Sequence, residues 1–261
     1  MIEVNQLSKI FETGKGKQKK VVHAVKDVSF AAASGRITGL LGPNGAGKTT
    51  TMRMLCTLVV PSSGRASVDG LDCATQGPAV RTKLGVLSDA RGLYQRLTTR
   101  ENIRYFGQLQ GLANSMLDER VETVIEQIGL QSLADRRTEG FSQGERMKVA
   151  LARALVHNPP NLILDEPTNG LDIMTIRSLR QLLRDLRDQG KCILLSTHIM
   201  QEVTALADEV VIISQGNTVA QGSVPQLLAR AGATDLEEAF VKLAFGPHAS
   251  EVAHQGTELT Q

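Results

Sequence analysis

The chain has 261 residues, of which 41% are hydrophobic, so it can bury a substantial core as one large or two small domains. Its 29 basic and 27 acidic residues leave a formal charge of +2, which argues against general nucleic-acid binding. The N-terminus lacks a signal-peptide pattern, and no apolar run approaches the roughly 18 residues of a membrane helix. The three cysteines form neither a CxxC pair nor a disulfide framework. We therefore expect a globular protein of a reducing compartment.

Short apolar runs alternate with helix-length amphipathic segments, which predicts a largely parallel sheet covered by helices. The first part of the chain differs, because residues 2–4 and 21–30 predict antiparallel strands. Further along, residues 37–41, 162–164 and 192–195 predict buried strands. Each of these three strands is followed by polar residues, and ligands of such sheets collect at the carboxyl ends of the strands.

The loop at residues 14–20 is rich in lysine, which favours a solvated loop and leaves contact with lipid headgroups as the alternative. Residues 99–131 follow a helical period and predict a helical subdomain inserted in the α/β core. Its apolar positions are Ile103, Phe106, Leu109 and Leu112 on one face, and Val121, Val124, Ile125 and Ile128 on the next.

The C-terminal part predicts a hairpin at residues 210–220, because apolar runs flank the turn Gln215-Gly216-Asn217. A short helix is predicted from Asp235 to about Phe245. Residues 247–261 are polar, and we expect them to be disordered.

One motif follows the strand at residues 37–41 and matches G-x-x-x-x-G-K-[ST], the phosphate-binding P-loop. Its glycines allow backbone amides to surround phosphate oxygens, Lys48 reaches the β- and γ-phosphates, and the Thr49 hydroxyl can hold Mg²⁺. A helical stretch at residues 50–58 follows and supplies the positive end of its dipole. The predicted ATP-binding positions are Gly42, Pro43, Asn44, Gly45, Ala46, Gly47, Lys48, Thr49 and Thr50.

Two adjacent carboxylates, Asp165 and Glu166, follow the strand at residues 162–164 and should point in different directions. Asp165 suits a Mg²⁺ partner through water, whereas Glu166 is placed to polarise the water that attacks the γ-phosphate. An acidic turn without a catalytic role is the alternative, which the neighbouring P-loop disfavours.

The order of four further motifs resembles that of the ABC ATPase family, over residues 2 to 222. The motifs are Phe141-Ser142-Gln143-Gly144-Glu145, Leu162 to Pro167, Asn169-Gly170-Leu171-Asp172, and His198 after Ser196-Thr197. By this resemblance they are the signature, the Walker B strand, the D-loop and the switch histidine. Phe11 matches the family's adenine-stacking aromatic, and His198 would contact the γ-phosphate. The other histidines, His23, His157, His248 and His254, are assigned no role.

The resemblance also implies a head-to-tail dimer. Ser142 and Gly144 of one copy would contact the ATP held by the other, with the help of the helix that runs to about His157. Two positions depart from the family pattern here, since Gln143 replaces a glycine and Glu145 replaces a glutamine. Ser142 and Glu145 also fit a capping box, which we favour over nucleotide contact for Glu145.

The family's Q-loop glutamine aligns with Asp89, which is a third departure. An aspartate is one methylene shorter and carries a charge, so we expect a water-mediated Mg²⁺ contact that makes Asp89 a supporting metal ligand. The alternative is that Asp89 is a solvated loop residue and the alignment is shifted.

The resemblance implies an α/β P-loop NTPase with an N-terminal antiparallel β subdomain and an inserted helical subdomain. We expect an ATPase domain at residues 1–222, with the helical subdomain at about 99–155, and a helical extension at 223–246. The chain should be the ATP-hydrolysing subunit of a transporter at the cytoplasmic face of the cell membrane.

Its partners would be an integral membrane permease and a second copy of the subunit, with no nucleic acid. The segment at residues 93–102 and the last helix resemble the exporter branch that includes Nat-type sodium and drug efflux. The permease would dock near Leu93, Tyr94 and Tyr105. A soluble ABC protein acting on ribosomes or DNA, and a regulatory nucleotide-binding module, remain the alternatives.

Overall fold

Residues 1–13, 20–88 and 92–246 are described in the computed structural model of the chain. This part of the protein forms one ten-stranded sheet flanked by nine α-helices. The strands are β1 (Ile2–Thr13), β2 (Lys20–Ala32), β3 (Arg36–Leu41), β4 (Ser63–Val68), β5 (Leu71–Asp72), β6 (Leu84–Leu87), β7 (Asn161–Asp165), β8 (Cys192–Thr197), β9 (Glu209–Ser214) and β10 (Asn217–Gly222).

All of the helices follow β3 in the chain. They are α1 (Lys48–Leu55), α2 (Gly77–Thr82), α3 (Thr99–Leu109), α4 (Asn114–Ile128), α5 (Gln143–Leu155), α6 (Ile173–Asp188), α7 (Met200–Leu206), α8 (Val224–Ala231) and α9 (Leu236–Phe245). The predicted α/β class with an antiparallel start and inserted helices is confirmed.

The parallel half of the sheet has the strand order β9-β3-β8-β7-β6. Strand β7 shows why its sequence is continuously apolar: Leu162 and Leu164 face one core cluster, and Ile163 faces the other. Burial on both faces removes the polar alternation of an exposed strand. The three predicted buried strands are confirmed as β3, β7 and β8, and their carboxyl ends lie along one edge.

The antiparallel half has the order β5-β4-β1-β2 and joins the parallel half through β10. The predicted N-terminal pair is confirmed, and β1 and β2 extend further than expected. The lysine-rich loop at 14–20 lies outside the described residues except for Lys20, which begins β2.

The inserted helices α3, α4 and α5 share one buried cluster with the parallel sheet, as the helical period predicted. Leu109 is a correction, because it is 62% exposed at the end of α3. A 3.6-residue period that starts at the buried Ile103 returns to the same face near residue 110 rather than 109. The helix after the P-loop is also corrected: it begins at Lys48 and ends at Leu55, before Thr57 adopts a left-handed conformation.

The C-terminal hairpin is confirmed by the antiparallel pair β9 and β10. Helices α8 and α9 pack Leu227, Leu236 and Phe240 against Val210 and Ile212 of β9. The predicted last helix is therefore present, preceded by α8. Residues 247–261 lie outside the described part, so their disorder stays a prediction. None of the described helices is long and apolar enough to cross a membrane.

Candidate nucleotide site

The P-loop lies between β3 and α1, and two of its glycines are required by close backbone neighbours. A Cβ on Gly42 would lie 2.3 Å from the Ile213 carbonyl oxygen, and one on Gly47 would lie 2.7 Å from the Ala24 carbonyl oxygen. Gly47 also has a φ of 107°, which favours glycine. Helix α1 begins at the next residue, so its free N-terminal amides face the loop. The backbone thus forms a cradle that fits phosphate.

Lys48 is buried within this cradle, with only 5% of its surface exposed. Its Nζ donates to the Gly42 carbonyl oxygen at 2.6 Å and lies 3.8 Å from Glu166 Oε1. Burial lowers the pKa of Lys48, and the carboxylates of Glu166 and Asp165 partly oppose this effect. A phosphate group beside the ammonium would stabilise its charge further.

The hydroxyl of Thr49 and the carboxylate of Asp165 meet at the edge of the sheet. Thr49 Oγ1 donates to Asp165 Oδ1 at 3.4 Å, and Ser196 Oγ donates to the same oxygen at 2.5 Å. Asp165 is 9% exposed, so these donors hold a buried carboxylate in a fixed orientation. A hydroxyl and a carboxylate are hard oxygen donors that suit Mg²⁺.

Asp165 and Glu166 contact different groups, as expected of adjacent residues, and Glu166 has a φ of 48°. A non-glycine residue in the left-handed region stores strain of a kind that occurs at functional sites. The Glu166 amide donates to Ser196 Oγ at 3.1 Å, and its carboxylate contacts Nδ1 of His198 at 3.0 Å. The turn thus brings the two predicted catalytic side chains into hydrogen-bond distance.

A cavity of about 830 Å³ connects these groups. Ten of the predicted site residues line it: Pro43, Asn44, Gly45, Gly47, Lys48, Thr49, Thr50, Asp165, Glu166 and His198. Of the other P-loop positions, Gly42 holds Lys48 through its carbonyl, and Ala46 is packed in the core.

Several lining residues were not among the predicted site residues, and they include His23, Arg53 and Asn169. His23 lies on β2 opposite Ile10, and nothing in its local sequence distinguishes it from an ordinary strand residue. His23 reaches the cavity because β2 passes beside the P-loop.

Phe11, Ser142 and Gly144 do not line the cavity. Phe11 is 37% exposed on β1, opposite Val22, which does line it. The Lys9 ammonium lies 5.2 Å from the centre of the Phe11 ring. Asp89 lies outside the described residues, so its role as a metal ligand stays a prediction.

The signature forms the first turn of α5. Glu145 N donates to Ser142 Oγ at 3.2 Å, and Ser142 N donates to Glu145 Oε2 at 2.8 Å. The predicted capping box is confirmed.

The site fits a Mg²⁺ ion that is bound partly by the protein and partly by the phosphates of a nucleotide. In the described ranges, no group of three or more His, Cys, Asp or Glu side chains could hold a metal by itself. Mg²⁺ commonly uses one or two protein oxygens, water and substrate phosphates. Thr49 and Asp165 beside a phosphate cradle meet that requirement.

Comparison with known proteins agrees with this geometry. The family model described as ABC transporter matches residues 25–169. The ABC transporter ATP-binding protein NatA of Bacillus subtilis is 42% identical over 92% of this chain and 97% of its own length. The Nod factor export ATP-binding protein I of Rhizobium sp. is 38% identical over 78% of this chain and 67% of its own length.

Solved structures show the same fold. The ATP-binding subunit of an ABC transporter superposes with a TM-score of 0.80 at 30% identity, covering 93% of this chain and 98% of the other. A dimeric cassette, MJ0796 bound to ADP and Pi, has a TM-score of 0.76 at 23% identity, covering 85% and 98%. The chain belongs to the ABC transporter family. It is an ATP-binding subunit that hydrolyses ATP.

Proposed function

We propose that the chain powers efflux through a separate membrane permease, by ATP-dependent closure and hydrolytic release of a dimer at the cytoplasmic face of the membrane. The observation that carries the proposal is the joint placement of Lys48, Thr49, Asp165, Glu166 and His198 around one cavity. This set provides a phosphate cradle, oxygen ligands for Mg²⁺ and a base for water, which ATP hydrolysis requires.

Each side chain takes a separate part in the reaction. The P-loop amides and Lys48 hold the β- and γ-phosphates and offset their charge. Thr49 and Asp165 would hold Mg²⁺, which would offset part of the phosphate charge when bound. Glu166 accepts a hydrogen bond from the attacking water, and His198, in contact with Glu166, orients that carboxylate and reaches toward the γ-phosphate.

Closure requires a second copy of the chain. Ser142 and Gly144 are at the exposed N-terminus of α5 and outside the cavity, where a hydroxyl, an amide and the helix dipole can meet a phosphate from another protomer. The dimeric cassette of the same fold supports this arrangement. We propose a head-to-tail homodimer in which each signature covers the ATP of the other copy.

The permease is proposed to dock on a groove between the parallel sheet and the inserted helices. A cavity of about 250 Å³ opens there, lined by Val86, Leu87, Phe106 and Arg153 among others. Tyr94 and Tyr105 stand beside Phe106 in an aromatic cluster and are 50% and 38% exposed. Leu93 is half-buried against the core, so its part is to hold the groove rather than to contact a partner.

Efflux is supported by the Nod factor export protein among the relatives. We expect the permease to choose the cargo, because the two cavities discussed above are assigned to nucleotide and to permease docking. Nothing in the described sheet or helices favours the ribosome- or DNA-acting alternative.

Cysteine crosslinking tests the partner. The native thiols are buried, and burial raises the pKa of Cys56 and Cys73 to about 12 and of Cys192 to about 11. The parent chain, treated in the same way, measures whatever background they give. We expect Tyr94→Cys and Tyr105→Cys to crosslink to a multispanning membrane protein in native membranes, and Met116→Cys, which is exposed on α4, to serve as the control. Crosslinks from the tyrosine positions to ribosomal or other soluble proteins alone would contradict a transporter role.

A further inference from the structure

The signature contains one residue that the capping box and the phosphate contact do not explain. Gln143 stands at the first position of α5, is exposed, and occupies the place of a family glycine. Its Nε2 donates to the carbonyl oxygen of Asn169 at 2.9 Å, across 26 residues of sequence. The contact ties the signature to the turn that follows β7 in the same chain.

The turn is shaped to receive this side chain. Gly170 has a φ of 70°, and a Cβ at this position would lie 2.4 Å from Gln143 Nε2 and 2.7 Å from its Oε1. The amide group of Gln143 therefore lies directly against the glycine backbone. Any other residue at position 170 would displace Gln143 and also strain the chain.

The segment after the turn, at the start of α6, also lies close to the signature. A Cβ on Gly144 would lie 3.1 Å from Thr175 Oγ1, so the first turns of α5 and α6 approach closely. Asp172 fixes Thr175, since it accepts from the Thr175 amide at 2.9 Å and from its hydroxyl at 2.6 Å. The start of α5 and the start of α6 thus lie close together.

The other end of this turn belongs to the catalytic centre. The Asn169 amide donates to the Glu166 carbonyl oxygen at 3.2 Å, and Asn169 lines the nucleotide cavity together with Glu166 and His198. Gln143 is therefore connected to Glu166 of its own chain through a turn of three residues.

We propose that Gln143 is a positioning residue that holds the turn 166–170, and through it the carboxylate of Glu166, for hydrolysis of the ATP bound by its own chain. This inference rests on the proposed head-to-tail dimer. In that dimer Ser142 and Gly144 act on the ATP of the opposite copy, whereas their neighbour Gln143 acts within its own chain. The signature is then divided between the two nucleotide sites.

The first test removes the hydrogen bond without changing charge or length. In Gln143→Met we expect kcat for ATP to fall about five-fold, the effect of one neutral hydrogen bond, with KM unchanged because the P-loop is intact. The control is Gln181→Met, since Gln181 is also exposed on a helix and donates only to Asp185 on that helix at 2.8 Å. Equal kcat for the two variants would overturn the proposal.

The second test assigns the effect to a site. Two differently tagged copies are co-purified, with or without the permease, and one copy carries Glu166→Gln, so that only the other copy hydrolyses ATP. The single-turnover rate is then measured with Gln143→Met placed in either copy. We expect a slower rate only when Gln143→Met is in the copy with the intact Glu166. A slower rate only with Gln143→Met in the Glu166→Gln copy would place Gln143 at the opposite nucleotide and overturn the proposal.

Different results would contradict the proposed dimer and the proposed role of Gln143. If the tagged copies do not associate in the presence of ATP, the dimer is wrong, and the kcat comparison between Gln143→Met and Gln181→Met still decides the role of Gln143. A melting temperature of Gln143→Met equal to that of the parent excludes a general loss of structure as the cause of the slower kcat.

Discussion

The carboxyl edge of the parallel sheet and the N-terminus of α5 are both proposed to bind phosphate, and they differ in how many of the required groups are already in place. At the sheet edge the buried Lys48 lies 3.8 Å from Glu166, and Ser196 contacts both Glu166 and the buried Asp165. At α5, Ser142 is exposed and its hydroxyl already accepts a hydrogen bond from its own helix.

The difference shows which chemistry one chain can supply. At the sheet edge, the buried charges and the strained backbone of Glu166 lower the stability of the fold, which is expected only where those groups take part in catalysis. The start of α5 bears no such cost, because a capping box is a stable end for any helix. In the proposed dimer, this helix end would bind phosphate only when the other copy brings the phosphate to it.

The sharpest way to separate the two regions is Glu166→Gln. The amide keeps the shape of the side chain but cannot serve as a base, so turnover should fall about 10³-fold while MgATP still binds. The variant should accumulate as a dimer with ATP, measured by gel filtration with light scattering. The control is Glu139→Gln, because Glu139 is exposed, and this variant should retain the parent's turnover. A Glu166→Gln variant that turns over ATP at the parent rate would remove Glu166 from the mechanism.

Lys48→Ala tests the other half of the sheet edge. Loss of a charged hydrogen-bond donor to the phosphates should weaken ATP binding about 10²-fold. Equilibrium binding of a fluorescent ATP analogue measures this effect, and Lys83→Ala, an exposed lysine before β6, is the matched control. Unchanged affinity in Lys48→Ala would mean that the cradle binds phosphate through its backbone alone.

The start of α5 can be tested against an equivalent helix start elsewhere. Ser223 caps α8 with the same capping box, through Gln226, far along the chain from the signature. Ser142→Ala and Ser223→Ala should each lower the free energy of unfolding by about 1 kcal/mol. Only Ser142→Ala should also lower ATPase activity, about ten-fold, since it alone removes a donor to the opposite phosphate. If both variants lose activity equally, Ser142 acts only as a cap.

Features encoded by a short stretch of sequence were predictable. Strand β7 reads as buried because it is apolar on both faces, and the P-loop and the capping box each lie within eight residues. The two adjacent carboxylates also separated as expected, since a turn directly follows the strand.

Features that depend on distant pairing were not predictable. His23 reaches the cavity because β2 passes beside the P-loop, and Gln143 meets Asn169 because α5 and α6 begin next to each other. Neither position has a local pattern that marks it. The error at Leu109 is different, because there the helical period itself was counted one residue short.

The family resemblance and the lining of the cavity give two different candidates for contact with adenine. The family resemblance assigns stacking to Phe11, whose ring is exposed next to Lys9. The cavity instead includes His23, together with Val22, the cross-strand neighbour of Phe11.

The two candidates predict different selectivity, because stacking accepts any base whereas a hydrogen bond from an imidazole distinguishes adenine from guanine. If Phe11 stacks on the base, Phe11→Ala should weaken ATP and GTP binding alike, by about five-fold. If His23 contacts the base edge, His23→Ala should change the ratio of the two affinities by a few-fold. Val21→Ala is the matched control, since Val21 is 48% exposed on β2, the strand of His23, and does not line the cavity. We expect the Phe11 result, because Phe11 is exposed and its cross-strand neighbour Val22 lines the cavity. Unchanged affinities in Phe11→Ala, with an altered ratio in His23→Ala, would assign the base to His23.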